Sequence, residues 1–272
     1  MSIEIDAAFA ARILTSFIRD ELAKFGFSRG ILGLSGGLDS SVCASLAARA
    51  LGPKNVVGLL MPYGPTFSRD VEDATALAAR LKITTKQIDI TPMVDPYFKV
   101  WGTESRVLRG NKMARERMSI LYDYSAREKA LILGTSNKTE LLIGYGTIHG
   151  DMACGINPMG DLYKTQVREL ARHLGVPASI IRKAPTAGLW SGQTDEQEIG
   201  LTYAELDEIL ENFVEKRKSG PELVKAGFKP GTVRRVAGMI KNSEFKRKLP
   251  PIAKLSPRSV GHDFLYPYDW DK

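Results

Sequence analysis

The 272-residue sequence predicts an α/β fold, a doubly wound, mostly parallel sheet flanked by helices. Short runs at residues 30–34, 55–61 and 130–134 have the length and apolar character of buried strands, and residues 84–90 read as a further strand, third in chain order. Stretches of helical periodicity alternate with them, the pattern of right-handed crossovers in a parallel sheet. The first run ends in Ser35-Gly36-Gly37, a turn opening directly into a helix at the strand's carboxyl end, where such sheets bind ligands.

Each element has its own signal. Residues 5–24 carry Phe9, Ile13, Phe17 and Leu22 at helical spacing, which predicts an opening amphipathic helix that packs on the body or forms an oligomer face. Ile31, Leu32 and Leu34 form the first strand, and the helix opened at Asp39 and Ser40 runs to Leu51, where Gly52-Pro53 stops it. Cys43 on that helix reads as a small core residue. Pro62 closes the second strand, and an alanine-rich helix at residues 70–81 leads into the third. Residues 107–124 include Arg115 and Arg117, which at a spacing of two cannot share a helix face and so serve different partners. After the fourth strand, Thr135 sits at a strand end with Glu140 five residues on. Residues 144–160 form a glycine-rich loop without periodicity, the kind of loop that is functional or mobile in a compact domain. Helices follow from Lys164 to Leu174, at residues 202–216 and at residues 232–240. The end, residues 262–270, holds Phe264, Tyr266, Tyr268 and Trp270, too aromatic for a solvated tail. The tail from about residue 250 is expected to dock on the body or on a second subunit, with residues 1–272 otherwise one domain.

Composition narrows the class. A hydrophobic content of 43% and a charged content of 25% are ordinary for a soluble enzyme, and no apolar stretch is long enough to span a membrane. Residues 1–6 lack the basic start and apolar core of a secretory signal, and Cys43 and Cys154 make neither a disulfide framework nor a zinc motif. A reducing cytoplasm is the expected location. The formal charge of +7 fits a nucleic-acid surface or a basin for small polyphosphates. The basic clusters at residues 106–117, 234–235 and 246–248 are not interleaved with stacking aromatics, which favours the basin over nucleic acid.

The turn itself carries the chemistry. Two glycines let backbone approach a ligand, free amides open the helix, and Ser35, Ser40 and Ser41 add hydroxyls, together a cradle for an anion. A Walker A loop would have lysine next; this chain has Asp39. A carboxylate aimed at phosphate makes sense with a cation between them, so Asp39 reads as a Mg²⁺ ligand, with Glu140 able to supply the second carboxylate. Lys164 becomes an active-site cation if its helix start faces the phosphates.

Ser35-Gly36-Gly37-Leu38-Asp39-Ser40 resembles the pyrophosphate loop of the N-type ATP pyrophosphatases, whose fold is Rossmann-like, of the adenine nucleotide alpha hydrolase kind. Gly110-Asn111 with Ala114-Arg115 and Arg117-Met118, Gly134-Thr135 with Glu140, Lys164-Thr165-Gln166-Val167, Lys183-Ala184-Pro185-Thr186-Ala187, and Asp195-Glu196 with Gly200-Leu201 and Tyr203 look like ammonia-dependent NAD synthetase. The resemblance runs from the first helix to Lys246-Arg247-Lys248 and implies ATP-dependent amidation of deamido-NAD by ammonia through an adenylate, a ligase activity in NAD biosynthesis.

By that resemblance Ser35, Gly36, Gly37, Leu38, Asp39, Ser40, Ser41 and Val42 cradle the ATP phosphates. Met61, Thr135, Lys164 and Thr186 also contact ATP, Asp39 and Glu140 hold Mg²⁺, and Asp39 and Lys164 are catalytic. Arg115 holds a deamido-NAD phosphate. The family's loop lysine, its second loop aspartate and a late histidine are Ile148, Gly155 and Phe245 here, which leaves recognition of the dinucleotide to residues such as His149, Asp151 or the aromatic tail. A homodimer is implied, with no membrane or nucleic-acid partner. A glutaminase domain, which needs an activated cysteine, has no room in this chain. The remaining alternatives are a relative that adenylates another acceptor for sulfur transfer or tRNA modification, and a nucleotide sensor without chemistry.

Overall fold

The computed structural model describes residues 3–64, 68–102, 105–190 and 192–260. Helix α1 (Ala7–Lys24), capped by the Asp6 carboxylate on the Phe9 amide, leads into β1 (Arg29–Gly33), α2 (Leu38–Leu51), β2 (Val56–Leu60), α3 (Ser68–Leu81) and β3 (Thr84–Gln87). Two more helices, α4 (Thr91–Trp101) and α5 (Arg106–Glu128), precede β4 (Ala130–Ile132) and α6 (Lys138–Ile143). The rest is helical: α7 (Lys164–Leu174), α8 (Ala178–Arg182), α9 (Asp195–Ile199), α10 (Tyr203–Val214), α11 (Gly220–Lys225) and α12 (Pro230–Asn242).

The strands pair in parallel in the order β3-β2-β1-β4, so the chain winds outward one way from β1 and then returns to its other side. The crevice where winding reverses lies between the carboxyl ends of β1 and β4, the place where open α/β sheets bind ligands. Side chains alternate across β1. Leu32 joins α1, α2, α3 and α7 in one apolar layer, while Ile31 faces the opposite layer with Val94 of α4 and Met113, Met118 and Leu121 of α5. A third cluster, built on Ile143, Tyr203, Leu206, Leu210 and Val236, packs α6, α9, α10 and α12 beyond the end of the sheet.

The four expected strands are present and parallel. The third is regular only through Gln87 and exposed along its length, although the Ile88 and Ile90 amides continue the pairing onto Leu60 and Pro62 carbonyls. Helix α4, which follows it, has no sequence expectation because Pro92 and Pro96 lie within it. In α1, Ile18 and Leu22 are buried as core residues, but Phe9, Ile13 and Phe17 point outward, with Phe9 53% exposed. Of the tail, residues 250–258 are exposed, and the aromatic stretch at residues 262–270 falls outside the described residues. No helix among the described residues is long and apolar enough to cross a membrane.

Candidate active site

The turn after β1 is built to stay rigid. Gly36 has φ +75°, and a Cβ there would overlap the Asp70 carbonyl, so no other residue fits. The Ser35 amide donates to Ser40 Oγ (3.2 Å), the Gly37 amide to Ser35 Oγ (3.2 Å), and the Ser40 and Ser41 hydroxyls to the Gly37 carbonyl (3.2 and 2.7 Å). Helix α2 starts at Leu38 with its first-turn amides lacking helical partners. Ser35, Gly37, Leu38, Asp39 and Ser40 line a cavity of about 530 Å³, whereas Ser41 and Val42 are fully buried beneath it and Gly36 is packed on α3.

Lys164, the first residue of α7 and only 4% exposed, brings two carboxylates together. Its Nζ donates to Asp39 Oδ2 at 2.6 Å and to Glu140 Oε1 at 3.0 Å, and it sits 5.0 Å from the centre of the Tyr203 ring. Burial alone would lower the ammonium, but Asp39 and Glu140 outweigh it and hold the charge. Burial pushes Glu140 up to about 7, with Lys164 pulling it back and Asp39 adding to the rise. Asn137 fixes both acids: its Nδ2 donates to Asp39 Oδ1 (2.9 Å), and its Oδ1 caps the Glu140 amide (3.0 Å) in a reciprocal capping box. Two facing carboxylates suit Mg²⁺, which takes one or two carboxylates and leaves its other positions to phosphate oxygens and water.

A second tier holds this group in place. Thr139 Oγ1 accepts the Lys164 amide (3.0 Å) and donates to Asp207 Oδ1, while Asp207 Oδ2 accepts the Thr165 amide (2.8 Å). Buried Asp195 accepts hydroxyl bonds from Tyr145 (3.0 Å) and Tyr203 (3.1 Å), which links the glycine-rich loop to α10. Burial raises Asp195, and Lys164 partly offsets that rise. Lys183 Nζ reaches Asp70 (2.8 Å), Asp73 (2.5 Å) and the Gly36 carbonyl (3.3 Å), tying the segment that carries Thr186 to the turn.

Met61 follows β2, Thr135 follows β4, and both line the cavity with Thr186 and Asp151. Asp151 Oδ1 accepts the Thr147 amide at 2.9 Å. Arg115 and His149 are not brought to this lining. Arg115 is exposed on the outer side of α5 with its Nε on the Ile148 carbonyl (3.2 Å), beside exposed His149, whose φ is +60°. Arg117, two residues on, points inward instead and donates to the Met61 carbonyl (2.9 Å). Burial lowers its guanidinium to about 10.

Asn137, Tyr145, Arg117, Arg168, Lys183, Asp195, Tyr203 and Lys246 are site residues that sequence reasoning left without a role. Asn137-Lys138-Thr139-Glu140 is a readable capping box, and Lys164 and Arg168 stand one helical turn apart. Lys246 had its place in the basic run at residues 246–248 as a signal, but no role. Its Nζ bonds the Gly144 and Gly146 carbonyls, both at 2.8 Å. Neither cysteine offers a sulfur carrier: Cys43 is fully buried with its thiol pushed up to about 12 by burial, and half-buried Cys154 is raised for the same reason.

Similar proteins are known along the whole chain. The family model for NAD synthase matches residues 10–250. The NH(3)-dependent NAD(+) synthetase of Trichlorobacter lovleyi is 49% identical over 270 residues, 99% of each chain. Among solved structures, the NH3-dependent NAD synthetase from Campylobacter jejuni in complex with nitrate superposes with a TM-score of 0.79 at 35% identity, covering 92% of this chain and all of that one. An NMN synthetase from Francisella tularensis superposes with a TM-score of 0.82 at 33% identity, over 92% of this chain and 99% of that one. With the match running through both halves of the sheet and the helices that close the cavity, the chain belongs to the NAD synthase family.

Proposed function

We infer that this chain is an ATP-dependent ligase that amidates deamido-NAD to NAD with ammonia. The observation that carries the reading is the Asp39–Lys164–Glu140 group at the point where the sheet reverses its winding, facing a turn shaped for phosphate. The nicotinate carboxylate attacks the α-phosphate of ATP, the α–β bridging bond breaks, and pyrophosphate departs. Ammonia then attacks the acyl carbon of the adenylate, AMP leaves with the bonding pair, and the nitrogen loses a proton to give the amide. Both nucleophiles belong to substrates, so the protein orients two anions and stabilises the departing charge.

Ser35, Gly37, Leu38 and Ser40 and the first amides of α2 receive the phosphates, with Gly36, Ser41 and Val42 shaping the turn from beneath. Met61 and Thr135 flank the nucleoside from the ends of β2 and β4, and Thr186 closes over it. Asp39 and Glu140 are the residues that would hold Mg²⁺, which when bound neutralises charge on the leaving pyrophosphate. Lys164 keeps those carboxylates in register and faces the same phosphates. Asp151 contacts deamido-NAD inside the cavity; Arg115 and His149 meet its phosphates on the outer face.

A cytoplasmic homodimer fits this reading. Phe9 and Ile13 on α1, and Val100, Trp101, Val107 and Leu108 at the α4–α5 junction, are apolar and at least half exposed, and light scattering of the pure protein would report the second copy. The sulfur-transfer alternative is disfavoured because burial raises both thiols, Cys43 most of all.

The test is pyrophosphate release from Mg-ATP and deamido-NAD, with and without ammonium, followed by detection of NAD. Nicotinic acid mononucleotide belongs in a parallel arm, given the similarity to an NMN synthetase. NAD formation from deamido-NAD supports the reading, and absence of pyrophosphate release with deamido-NAD overturns it.

A further inference from the structure

Helix α7 divides its faces sharply. Val167, Leu170 and Ala171 enter the apolar layer shared with Val42 and Leu46 of α2, while Lys164 and Arg168, one turn apart, line the cavity. Most cations on the cavity wall are already engaged. Lys164 lies between Asp39 and Glu140, Lys183 bonds Asp70 and pairs with Asp73, Lys246 sits on two carbonyls, and Arg117 donates to Met61. Arg168 differs: its Nε is buried without a hydrogen-bond partner, and among the described residues no ion pair or hydrogen bond engages the guanidinium. A buried donor left unpaired is costly and calls for a ligand that completes it.

The position selects the ligand. Helices α2 and α7 pack together as one wall of the cavity, and α2 begins at the phosphate-shaped turn, whereas Arg117 stands on α5 against the opposite face of the sheet. A guanidinium presents several N–H donors in a plane and suits the oxygens of a polyphosphate better than an ammonium does. We propose that Arg168 binds the β- and γ-phosphates of ATP and the pyrophosphate that leaves, a role that rests on the ATP reading above. Lys164 organises the carboxylates, and Arg168 supplies the free positive charge.

Titration calorimetry with inorganic pyrophosphate plus Mg²⁺, and separately with AMP, tests this on the full chain. Arg168→Gln is expected to weaken pyrophosphate binding by about tenfold or more, while AMP binding stays within about twofold of wild type. Arg168→Lys, which keeps the charge and loses the planar fork, falls between the two. Unchanged pyrophosphate affinity in Arg168→Gln, or equal weakening of pyrophosphate and AMP, overturns the assignment. If Arg168→Gln does not fold, Arg168→Lys decides: selective weakening of pyrophosphate supports the role, and wild-type affinity overturns it. A wild-type protein that binds neither ATP nor pyrophosphate overturns the ATP reading together with this one, whereas wild-type binding that survives in the variants removes Arg168 alone.

Discussion

Lys164 Nζ lies 2.6 Å from Asp39 Oδ2, joining the first turns of α7 and α2 across 125 residues of sequence. The contact is both structural and chemical, because the same ammonium also holds Glu140. Lys164→Ala leaves two enclosed carboxylates facing each other with no cation between them. The expected outcome is a loss of about 3 kcal/mol in urea unfolding, the scale of a broken buried pair, together with pyrophosphate release slowed by about 100-fold or more. Added Mg²⁺ should recover part of the stability, because it replaces the missing positive charge. Wild-type turnover in the variant would remove Lys164 from the mechanism.

Gly36→Ala tests the turn apart from its charge. The position needs φ +75° and has no room for a methyl group beside the Asp70 carbonyl, so either the turn or α3 must move. A stability loss of about 2 kcal/mol or more is expected. ATP binding should fall with it, even though no group that touches ATP has been removed. An unfolding midpoint equal to wild type would show that the turn is softer than its hydrogen bonds indicate.

Asp207→Asn probes support at one remove from the ligand. Asp207 accepts from Thr139 and from the Thr165 amide, and Thr139 in turn accepts the amide of Lys164. An amide in its place keeps one acceptor oxygen for the Thr165 amide and turns the other position into a donor, so the Thr139 hydroxyl must accept where it now donates and the charge-assisted bonds are lost. A loss of about 2 kcal/mol in stability is expected, with a raised KM for ATP because the start of α7 shifts. A stability loss with an unchanged KM would confine Asp207 to the scaffold.

The fold was legible because local pattern and global topology agree: short strand-like runs, three of them apolar, alternate with amphipathic helices, and a glycine turn ends the first run. The centre of the site was legible for a similar reason. Asp39, Glu140 and Lys164 each stand at the start of a helix that follows a strand end or a loop, and a parallel sheet brings such starts to one edge. The support was hidden because Asp195, Tyr203 and Asp207 come from helices whose packing on α6 and α7 no local pattern announces. Arg115 and Arg117 show the intermediate case. Their spacing required opposite faces, but only the packing of α5 decided that Arg117 turns inward and Arg115 outward.

The cysteines separate amidation from sulfur transfer. Burial pushes the Cys43 thiol up to about 12, and its Sγ lies 3.5 Å from the Gly134 carbonyl. A thiol so rarely ionised reacts slowly, so native protein at pH 8 should resist iodoacetamide at Cys43, with labelling appearing in urea. The Cys43→Ala, Cys154→Ala double variant should retain NAD formation. Activity that disappears with either thiol while the fold persists would reopen the sulfur-transfer reading.

Gly155 shows why the glycine-rich loop departs from the aspartate expected there. A Cβ at this position would lie 2.5 Å from Leu131 Cδ1 and 2.7 Å from its Cγ, and the Gly155 amide is tied to the Ile132 carbonyl at 2.9 Å. The loop therefore lies directly against β4 and its neighbours, and a carboxylate enters only if Leu131 moves. Gly155→Asp should lose about 1–3 kcal/mol from overpacking, without a tighter KM for deamido-NAD. Pairing it with Leu131→Ala removes the blocking atoms, so the double variant should be more stable than the sum of the single losses predicts. A double-mutant cycle in urea, read beside KM for deamido-NAD, checks both parts. Simple additivity would mean that Leu131 is not what excludes the aspartate.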